Sequence, residues 1–357
     1  MGSQKGDLAY RPMGPCTMTS RHGLANIGNT CYLNSAFQAL RHTKPFADYF
    51  GTDAWLGHRH ADRKGHEMTG QAADIVVALR SPGDKMVMPA KFVKAFIEFA
   101  HEVNEDICYG AQADAAEAIQ ILLDGLHTQQ AREVRMDISG AAITTDQQEL
   151  IQSLESWATF FRKEYSPLID AFYGQTQTKV CCMDCKACST RYEPWGVLKV
   201  EIPGAEKAGS QAPTLQECIA SAFGSEMLEG YKCDNCKKEG TSRKATAISR
   251  YPRNLILSLK RFTNAGAKVR ARIPYDENLI DMSAWASWSS LSGNPKYRVM
   301  STIEHLGSSR GGHYIMRTRD EAEGKWYIYD DGAVSECREG GAAGPDTYVL
   351  FLEQHIS

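Results

Sequence analysis

NIGNTCYLNS, residues 26–35, is the stretch from which the fold can first be predicted. From residue 29 onward, apolar side chains recur at helical spacing, namely at Leu33, Phe37 and Leu40. Asn29 or Thr30 is the candidate for the helix cap. Cys31 is therefore predicted at a helix N-terminus, where unpaired N–H groups and the positive end of the helix dipole favour a thiolate.

The loop in front of Cys31 has the composition of a turn that could bind an oxyanion. Asn26, Gly28 and Asn29 form a tight polar segment, and glycine lets its backbone come close to a substrate. We take Asn26 as the side-chain donor. A free cysteine considered alone is more often a small buried apolar residue than a nucleophile, so the hypothesis requires a base nearby.

A candidate base lies near the C-terminus. His313 follows Gly311-Gly312 and opens the apolar run 314–319; polar residues 320–324 make a turn, and 325–330 runs back as a hairpin. A turn centred between positions 321 and 322 makes His313 and Asp330 direct cross-strand neighbours, with Cβ atoms ~5 Å apart. A carboxylate there would fix the imidazole tautomer, as in base-plus-orienter sites.

Two alternatives stay open for this pair. A shift of one residue at the turn, or a bulge, would favour Asp331 as the orienting carboxylate. A structural histidine bonded to an aspartate on a surface hairpin is about as common as a catalytic one. Gly311-Gly312 favours the catalytic interpretation, because two glycines keep the approach to His313 open.

The pattern of apolar residues changes near residue 172 from helical spacing to short runs, and we therefore predict an α+β fold. Before it, helices are expected at 89–102 and 112–127, so residues 21–165 are mainly helical, after a flexible polar tail at 1–20. After it, the pattern becomes short apolar strands between breakers, at 197–202, 254–262, 298–303, 314–319, 326–329 and 348–352.

Composition excludes several classes of function. The net charge of −3 and pI of about 6.4 provide no basic footprint for a nucleic acid. There is no apolar run long enough for a membrane span and no apolar leader, so we expect neither membrane insertion nor secretion. The expected partner is another protein, and the expected location is the cytoplasm, the nucleus or both.

Eleven cysteines, an odd number, indicate metal binding and catalysis in a reducing compartment rather than disulfides. Cys182-x-x-Cys185 and Cys233-x-x-Cys236 are two knuckles that can direct four thiolates at one tetrahedral Zn²⁺, which would be structural because no position remains for water. Cys185 with Cys188 is an alternative pair of ligands; otherwise Cys181 and Cys188 are core residues or spares.

Several motifs together resemble the ubiquitin-specific protease family of deubiquitinases. Residues 23–35, GLANIGNTCYLNS, are similar to its cysteine box, and Gly311-Gly312-His313-Tyr314 with Trp326-Tyr327 and Asp330-Asp331 to its histidine box. Residues 231–236 and 252–262 resemble its second knuckle and the strand that follows. The resemblance spans residues 21–354.

The resemblance implies a single catalytic domain over 21–357 with a papain-like cysteine peptidase fold. It would have a helical thumb at about 21–165, zinc-stapled β fingers at about 170–255 and a β palm over the remainder.

The resemblance also assigns roles to individual residues. Cys31 would be the nucleophile, His313 the base, Asp330 the third triad member and Asn26 the oxyanion donor. The structural zinc ligands would be Cys182, Cys185, Cys233 and Cys236. The residues facing the tail of ubiquitin would be Gln112, Asp114, Glu117, Gly312 and Tyr314.

The function expected from these features is thiol-dependent hydrolysis of the peptide or isopeptide bond after the C-terminal glycine of ubiquitin, by a monomeric enzyme acting through an acyl-enzyme. The alternatives are a catalytically silent ubiquitin-binding module, a protease for a ubiquitin-like modifier, or a zinc-ribbon nucleic-acid adaptor. The intact Cys31, His313 and Asp330 argue against the first, and the acidic balance argues against the last.

Overall fold

The computed structural model describes residues 21–204, 212–263, 266–287, 295–308, 311–338, 341 and 344–355. The tail predicted at 1–20 lies outside these residues. Helices dominate the described chain up to Phe172 and strands dominate after it, so the predicted α+β class is confirmed.

The helical part contains seven α-helices among the described residues. They are α1 (Cys31–Arg41), α2 (Lys44–Phe50), α3 (His66–Arg80), α4 (Ala90–His101), α5 (Ala115–Gln130), α6 (Thr145–Phe161) and α7 (Pro167–Phe172), with a 3₁₀ turn at Asp53–His58. The helix predicted at 112–127 begins later, because Asp114 is its N-cap and its side chain accepts from the N–H of Glu117. The periodicity at 89–102 corresponds closely to α4.

The strand-rich part forms two sheets within the described residues. Its elements are β1 (Gly174–Cys182), β2 (Cys188–Trp195), β3 (Val197–Val200), α8 (Leu215–Ala220), β4 (Gly224–Lys232), β5 (Glu239–Arg250), β6 (Asn254–Leu259), β7 (Ile280–Asp281), a 3₁₀ turn at Ser283–Trp285, β8 (Lys296–Ser308), β9 (Gly311–Asp320), β10 (Lys325–Asp330), β11 (Ala333–Glu336) and β12 (Thr347–Gln354). The smaller sheet has the order β2-β1-β5-β4. The larger has the order β11-β10-β9-β8-β12-β6-β3, with β7 also on β8.

The central strands β6 and β12 of the larger sheet are buried on both faces, which explains their continuous apolar runs. On β12, Val349 and Phe351 pack into the core shared with the helices, whereas Leu350 and Leu352 pack into a second core that includes Leu215 of α8. Alternate residues of a strand face opposite sides, so a strand covered on both sides must be apolar throughout.

Helix α1 lies at the centre of the helical part. All of its residues are buried, and it packs against α5 on one side and against β9 on the other. The residue that begins α1 is therefore held against the strand that carries the histidine candidate. Within the described residues, no helix is long and apolar enough to cross a membrane.

Candidate active site

Cys31 is the first residue of α1 and is 3% exposed. Two residues in the left-handed region, Gly28 (φ +80°) and Asn29 (φ +62°), turn the chain just before it. Asparagine tolerates this conformation better than most residues with a side chain. The side chain of Asn29 donates to the carbonyl of Gly110 at 2.7 Å, which fixes the turn to the loop before α5.

The first turn of α1 leaves its N–H groups available to the thiol. Thr30 is the N-cap residue, but its side chain makes no cap hydrogen bond and instead accepts from the N–H of Ile27 at 3.0 Å. Burial raises the pKa of the Cys31 thiol, and the nearby Asp331 carboxylate raises it further. N–H groups, first that of Tyr314 and then those of Tyr32 and Cys31, partly offset this pKa shift. Ionisation of Cys31 therefore needs a base.

The strand β9 brings that base beside the thiol. The backbone N–H of Tyr314 lies close enough to Cys31 to lower the pKa of its thiol, and His313 is the preceding residue. The Nε2 atom of His313 lies 2.6 Å from Oδ1 of Asp330. A carboxylate at Nε2 holds the proton there and leaves Nδ1 as the basic nitrogen.

The predicted strand register of this hairpin is wrong by two residues, although the contact exists. Tyr329 pairs with Met316 and Lys325 with Asp320, so Asp330 continues opposite Ile315 rather than opposite His313. The turn is centred one position later, because Asp320 accepts from two N–H groups of the turn and Gly324 closes it at φ +65°. A shift of two keeps both side chains on the same face, and diagonal neighbours on one face can still touch.

Asp331, the alternative orienter, is engaged elsewhere. Its Oδ2 lies 4.0 Å from Nε2 of His313. Its two oxygens accept hydrogen bonds at 2.8 Å from the side-chain amides of Asn26 and Asn34, and its carbonyl accepts from the N–H of Leu24 at 2.9 Å. Asp330 thus contacts the imidazole, and Asp331 ties the hairpin to the loop and helix around Cys31.

The amide of Asn26 is held at both ends. Its Oδ1 accepts from the N–H of Thr30 at 3.0 Å, while its Nδ2 donates to Asp331. Asn34 was not among the predicted site residues, yet it is 3% exposed and donates to Asp331 from within the buried helix α1. A polar residue on the buried stripe of a helix was the available signal, since such residues normally have a specific partner.

Gln112 connects the two halves of the molecule across the cleft. Its Nε2 donates to the carbonyl of Gly312 at 2.9 Å, and its Oε1 accepts from the N–H of Gly312 at 3.1 Å. A Cβ at Gly312 would collide with the His305 imidazole and the Leu306 carbonyl. Packing against β8 therefore requires this glycine, a different reason from the open approach that the sequence indicated.

Asp114 and Glu117 line a cleft of about 340 Å³ together with Lys199, Ser258, Lys260, Arg261, Phe262 and Tyr348. The hydroxyl of Tyr348 donates to Asp114, and Asn104 donates to Glu117 at 2.8 Å. Tyr314 is 6% exposed, and its ring lies 6.2 Å from that of Tyr348. Of the predicted residues, Asp114 and Glu117 thus border one cleft, although both also have structural partners.

The four knuckle cysteines converge at the end of the smaller sheet. The sulfur of Cys182 lies 3.9 Å from that of Cys236, that of Cys185 lies 3.7 Å from that of Cys233, and all four lie within 4.8 Å of one another. A tetrahedral ion with Zn–S bonds of about 2.3 Å places its sulfurs about 3.8 Å apart. The cluster could therefore hold a metal ion of this size.

The two knuckles have the same backbone geometry. Lys186 and Lys237, each directly after the second cysteine of its pair, have φ of +59° and +61°. Their N–H groups donate to the carbonyls of Cys182 and Cys233 at 3.1 and 2.8 Å. Asn235 also donates to the sulfur of Cys185 at 3.6 Å, and N–H groups directed at thiolates support metal ligation.

Cys181 and Cys188 form a disulfide, which corrects the expectation that this chain uses its cysteines only for metal and catalysis. The two residues are opposite each other in the β1–β2 ladder. Cys188 is exposed and Cys181 is half-buried, so neither is a core residue. Cys188 is also outside the four-cysteine cluster, which removes the alternative ligand pair.

Comparisons with known proteins show the family to which this chain belongs. The family profile described as ubiquitin carboxyl-terminal hydrolase matches residues 22–352. Ubiquitin carboxyl-terminal hydrolase 2 of Bos taurus is 28% identical over 340 residues, covering 93% of this chain and 54% of that protein. Ubiquitin carboxyl-terminal hydrolase 21 of Mus musculus is 28% identical over 355 residues, covering 93% of this chain and 61% of that protein. The chain thus spans little more than half the length of these relatives.

Solved structures share the fold. A chain of the SAGA DUB module of Ubp8, Sgf11, Sus1 and Sgf73 bound to monoubiquitin matches with a TM-score of 0.70 and 20% identity, covering 94% of this chain and 69% of that one. A chain of the same module bound to ubiquitin aldehyde matches with a TM-score of 0.68 and 19% identity, covering 94% of this chain and 70% of that one. The predicted papain-like fold of helical thumb, β palm and β fingers is confirmed by this likeness.

Proposed function

The chain belongs to the ubiquitin carboxyl-terminal hydrolase family, and on that premise we propose that it hydrolyses the peptide or isopeptide bond after the C-terminal glycine of ubiquitin. The observation that carries the proposal is the convergence at the start of α1. There, the buried thiol of Cys31 begins the helix that packs against β9, and His313 of β9 is bonded to Asp330.

In the proposed mechanism His313 takes the proton of Cys31, and the thiolate attacks the carbonyl of the terminal glycine. Asp330 stabilises the imidazolium that forms and holds the ring so that Nδ1 faces the sulfur. The positive end of α1 favours the thiolate once it has formed. Burial raises the pKa of Cys31, so the thiol ionises when His313 can accept its proton.

The tetrahedral intermediate carries a negative oxygen that needs donors. Asn26 is the proposed side-chain donor, because Thr30 and Asp331 fix its amide while Nδ2 keeps a second hydrogen. His313 then protonates the leaving amine, an acyl-enzyme remains on Cys31, and water activated by His313 releases ubiquitin.

The extended tail of ubiquitin is proposed to pass beneath the bridge between Gln112 and Gly312. Acidic Asp114 and Glu117 lie on that side and suit a cationic side chain of the tail. Glycine at the end of the tail would fit a narrow passage beneath this bridge. Gly312 and Tyr314 supply the backbone of its far wall.

The four-cysteine cluster is proposed to hold a structural Zn²⁺. Four sulfur ligands close the coordination shell, so the ion would brace the fingers and take no part in the reaction. We also propose boundaries of about 21–165 for the thumb and about 170–255 for the fingers. We also propose a monomer in the cytoplasm, the nucleus or both. The cluster needs four thiolates, which a reducing compartment supplies, and the Cys181–Cys188 disulfide would have to resist reduction there.

Turnover of ubiquitin carrying a fluorogenic C-terminal amide tests the function. The chain should release the fluorophore, Cys31→Ala should not, and both proteins should bind ubiquitin. Binding without release by the native chain would instead identify a silent ubiquitin-binding module. Release from a ubiquitin-like modifier but not from ubiquitin would identify the other alternative.

A further inference from the structure

Two exposed methionines lie beside the loop that leads to Cys31. Met86 and Met88 are 58% and 60% exposed, although methionine is an apolar residue. Their segment is held by hydrogen bonds of 2.9 Å, from the N–H of Val87 to the carbonyl of Gly23 and from the N–H of Ala25 to the carbonyl of Val87. In this extended segment Val87 faces the core, so the two methionines share the opposite, solvent-facing side.

These methionines adjoin the hairpin of the candidate triad. A Cβ at Gly332 would collide with Sδ of Met86, and a Cβ at Gly23 would collide with the backbone of Gly332. Gly23 and Gly332 are thus packed together, and the side chain of Met86 lies against Gly332. We name this surface, made of Met86, Met88 and Gly332, the methionine shelf.

The shelf lies next to the turn that follows Asp330, which borders the proposed substrate cleft, because Met86 packs against Gly332. The bridge from Gln112 to Gly312 marks one end, where the acyl part of the substrate is proposed to lie. Asp330, two residues before Gly332 of the shelf, has a side chain that is 54% exposed and holds the imidazole of His313. Because His313 protonates the leaving amine, the polypeptide that carries this amine must leave the cleft on the side of the imidazole opposite the acyl group.

We propose that the methionine shelf binds an apolar side chain next to the acceptor lysine, on the polypeptide that departs when the isopeptide bond is cut. This inference rests on the proposed function. Methionine suits the role because its flexible, polarizable side chain adapts to different apolar partners. The exposed carboxylate of Asp330 beside the shelf favours a segment whose freed lysine is cationic.

The test uses two conjugates in which ubiquitin is joined through an isopeptide bond to the lysine of a short peptide. The peptides differ only in the residue beside that lysine, leucine in one and serine in the other. For the native chain, kcat/KM should be about fivefold to tenfold higher for the leucine conjugate, the gain expected from burying part of one leucine side chain. The double variant Met86→Gln/Met88→Gln should lose most of this preference.

Two matched variants separate binding by the shelf from a general effect on the protein. Val77→Gln changes an equally exposed apolar residue on α3, 56% exposed, and should keep the preference for leucine. Met88→Leu keeps an apolar side chain and should also keep it. Thermal unfolding of each variant checks that the fold persists.

Different results overturn different claims. Equal kcat/KM for the two conjugates with the native chain, or an undiminished preference in the double variant, overturns the shelf. Release of the fluorogenic amide without cleavage of either peptide conjugate also overturns it. If the native chain cleaves none of the three substrates, neither the fluorogenic amide nor either peptide conjugate, the proposed function is refuted and the shelf with it.

Discussion

Removing the carboxylate of Asp331 tests how the hairpin controls the loop before Cys31. In Asp331→Ala, Asn26 and Asn34 each lose an acceptor at 2.8 Å. A hydrogen bond to a charged group contributes about 1.5–3 kcal/mol. Asn26 is exposed and can bond to water instead. Buried Asn34 keeps two longer contacts of 3.3 Å to backbone carbonyls, so we expect the free energy of unfolding to fall by about 2 kcal/mol. With an unfolding entropy of about 2.1 cal/mol/K per residue, this loss of stability should lower Tm by about 2–3 °C.

The effect on catalysis should be larger than the effect on stability. Loss of an oxyanion donor costs about 100-fold to 1,000-fold in kcat. Asn26 retains its bond from Thr30 and is only loosened, so we expect kcat to fall by about tenfold to 100-fold. The Asp331 carboxylate also raises the pKa of Cys31, so the acid limb of the pH profile should move to lower pH.

The assay is steady-state hydrolysis of ubiquitin with a fluorogenic C-terminal amide, measured across pH beside calorimetric melting. Asp74→Ala, which removes an exposed carboxylate on α3, is the control and should resemble the native chain. Asp331→Asn offers one acceptor where two amides need one each, so it should also be impaired. A folded Asp331→Ala with kcat within twofold of native would refute the positioning role.

Three further predictions concern the base, the thiol and the metal. Asp330→Ala should lower kcat by as much as about 10⁴-fold, because the imidazole of His313 loses the carboxylate that orients it. Tm should barely change, since the His313–Asp330 pair is half-exposed. A fall in kcat of less than tenfold would contradict the role of Asp330. In His313→Ala, the rate of Cys31 alkylation by iodoacetamide should rise with pH around a midpoint above the ordinary thiol pKa of about 8.5, because burial raises the pKa of Cys31. A midpoint below that value would show that the helix alone ionises the thiol. The raised pKa means that the folded protein favours the neutral thiol of Cys31. This preference stabilises the fold at any pH below the pKa of Cys31 in the unfolded chain, and the stabilisation is lost as pH rises through the pKa of Cys31 in the folded protein. Native protein should contain one zinc per chain by elemental analysis, and Cys233→Ser should lose the metal and melt earlier, unlike Cys108→Ser; equal zinc in both variants would exclude the cluster.

Sequence patterns predicted the helices and strands of this fold better than the register between paired strands. Helix α4 and strand β12 carry strong periodicity or continuous apolar runs, so their existence follows from local sequence. The register of β9 and β10 depends on two hydrogen bonds to Asp320 and on the left-handed conformation of Gly324, which periodicity does not specify. A two-residue shift leaves the apolar pattern of each face unchanged, so the hydrophobic pattern could not reveal the error.

The candidate site shows the same division. The residue types around Cys31 and His313 indicated their chemistry because a thiol at a helix start and a histidine with an acidic partner are recognisable locally. The bonds from Asn26 and Asn34 to Asp331 join positions about three hundred residues apart, so local sequence carries no sign of them. The pairing of Cys181 with Cys188 likewise follows from the β1–β2 register, which cysteine spacing does not determine.

Capture by a ubiquitin whose C-terminus bears an electrophile tests the central claim most directly, because the thiol must then be both reactive and placed at the end of the tail. The native chain should form a stoichiometric adduct whose modified peptide contains Cys31, and Cys31→Ser should form none. An adduct on another cysteine, or equal labelling of Cys31→Ser, would contradict the account.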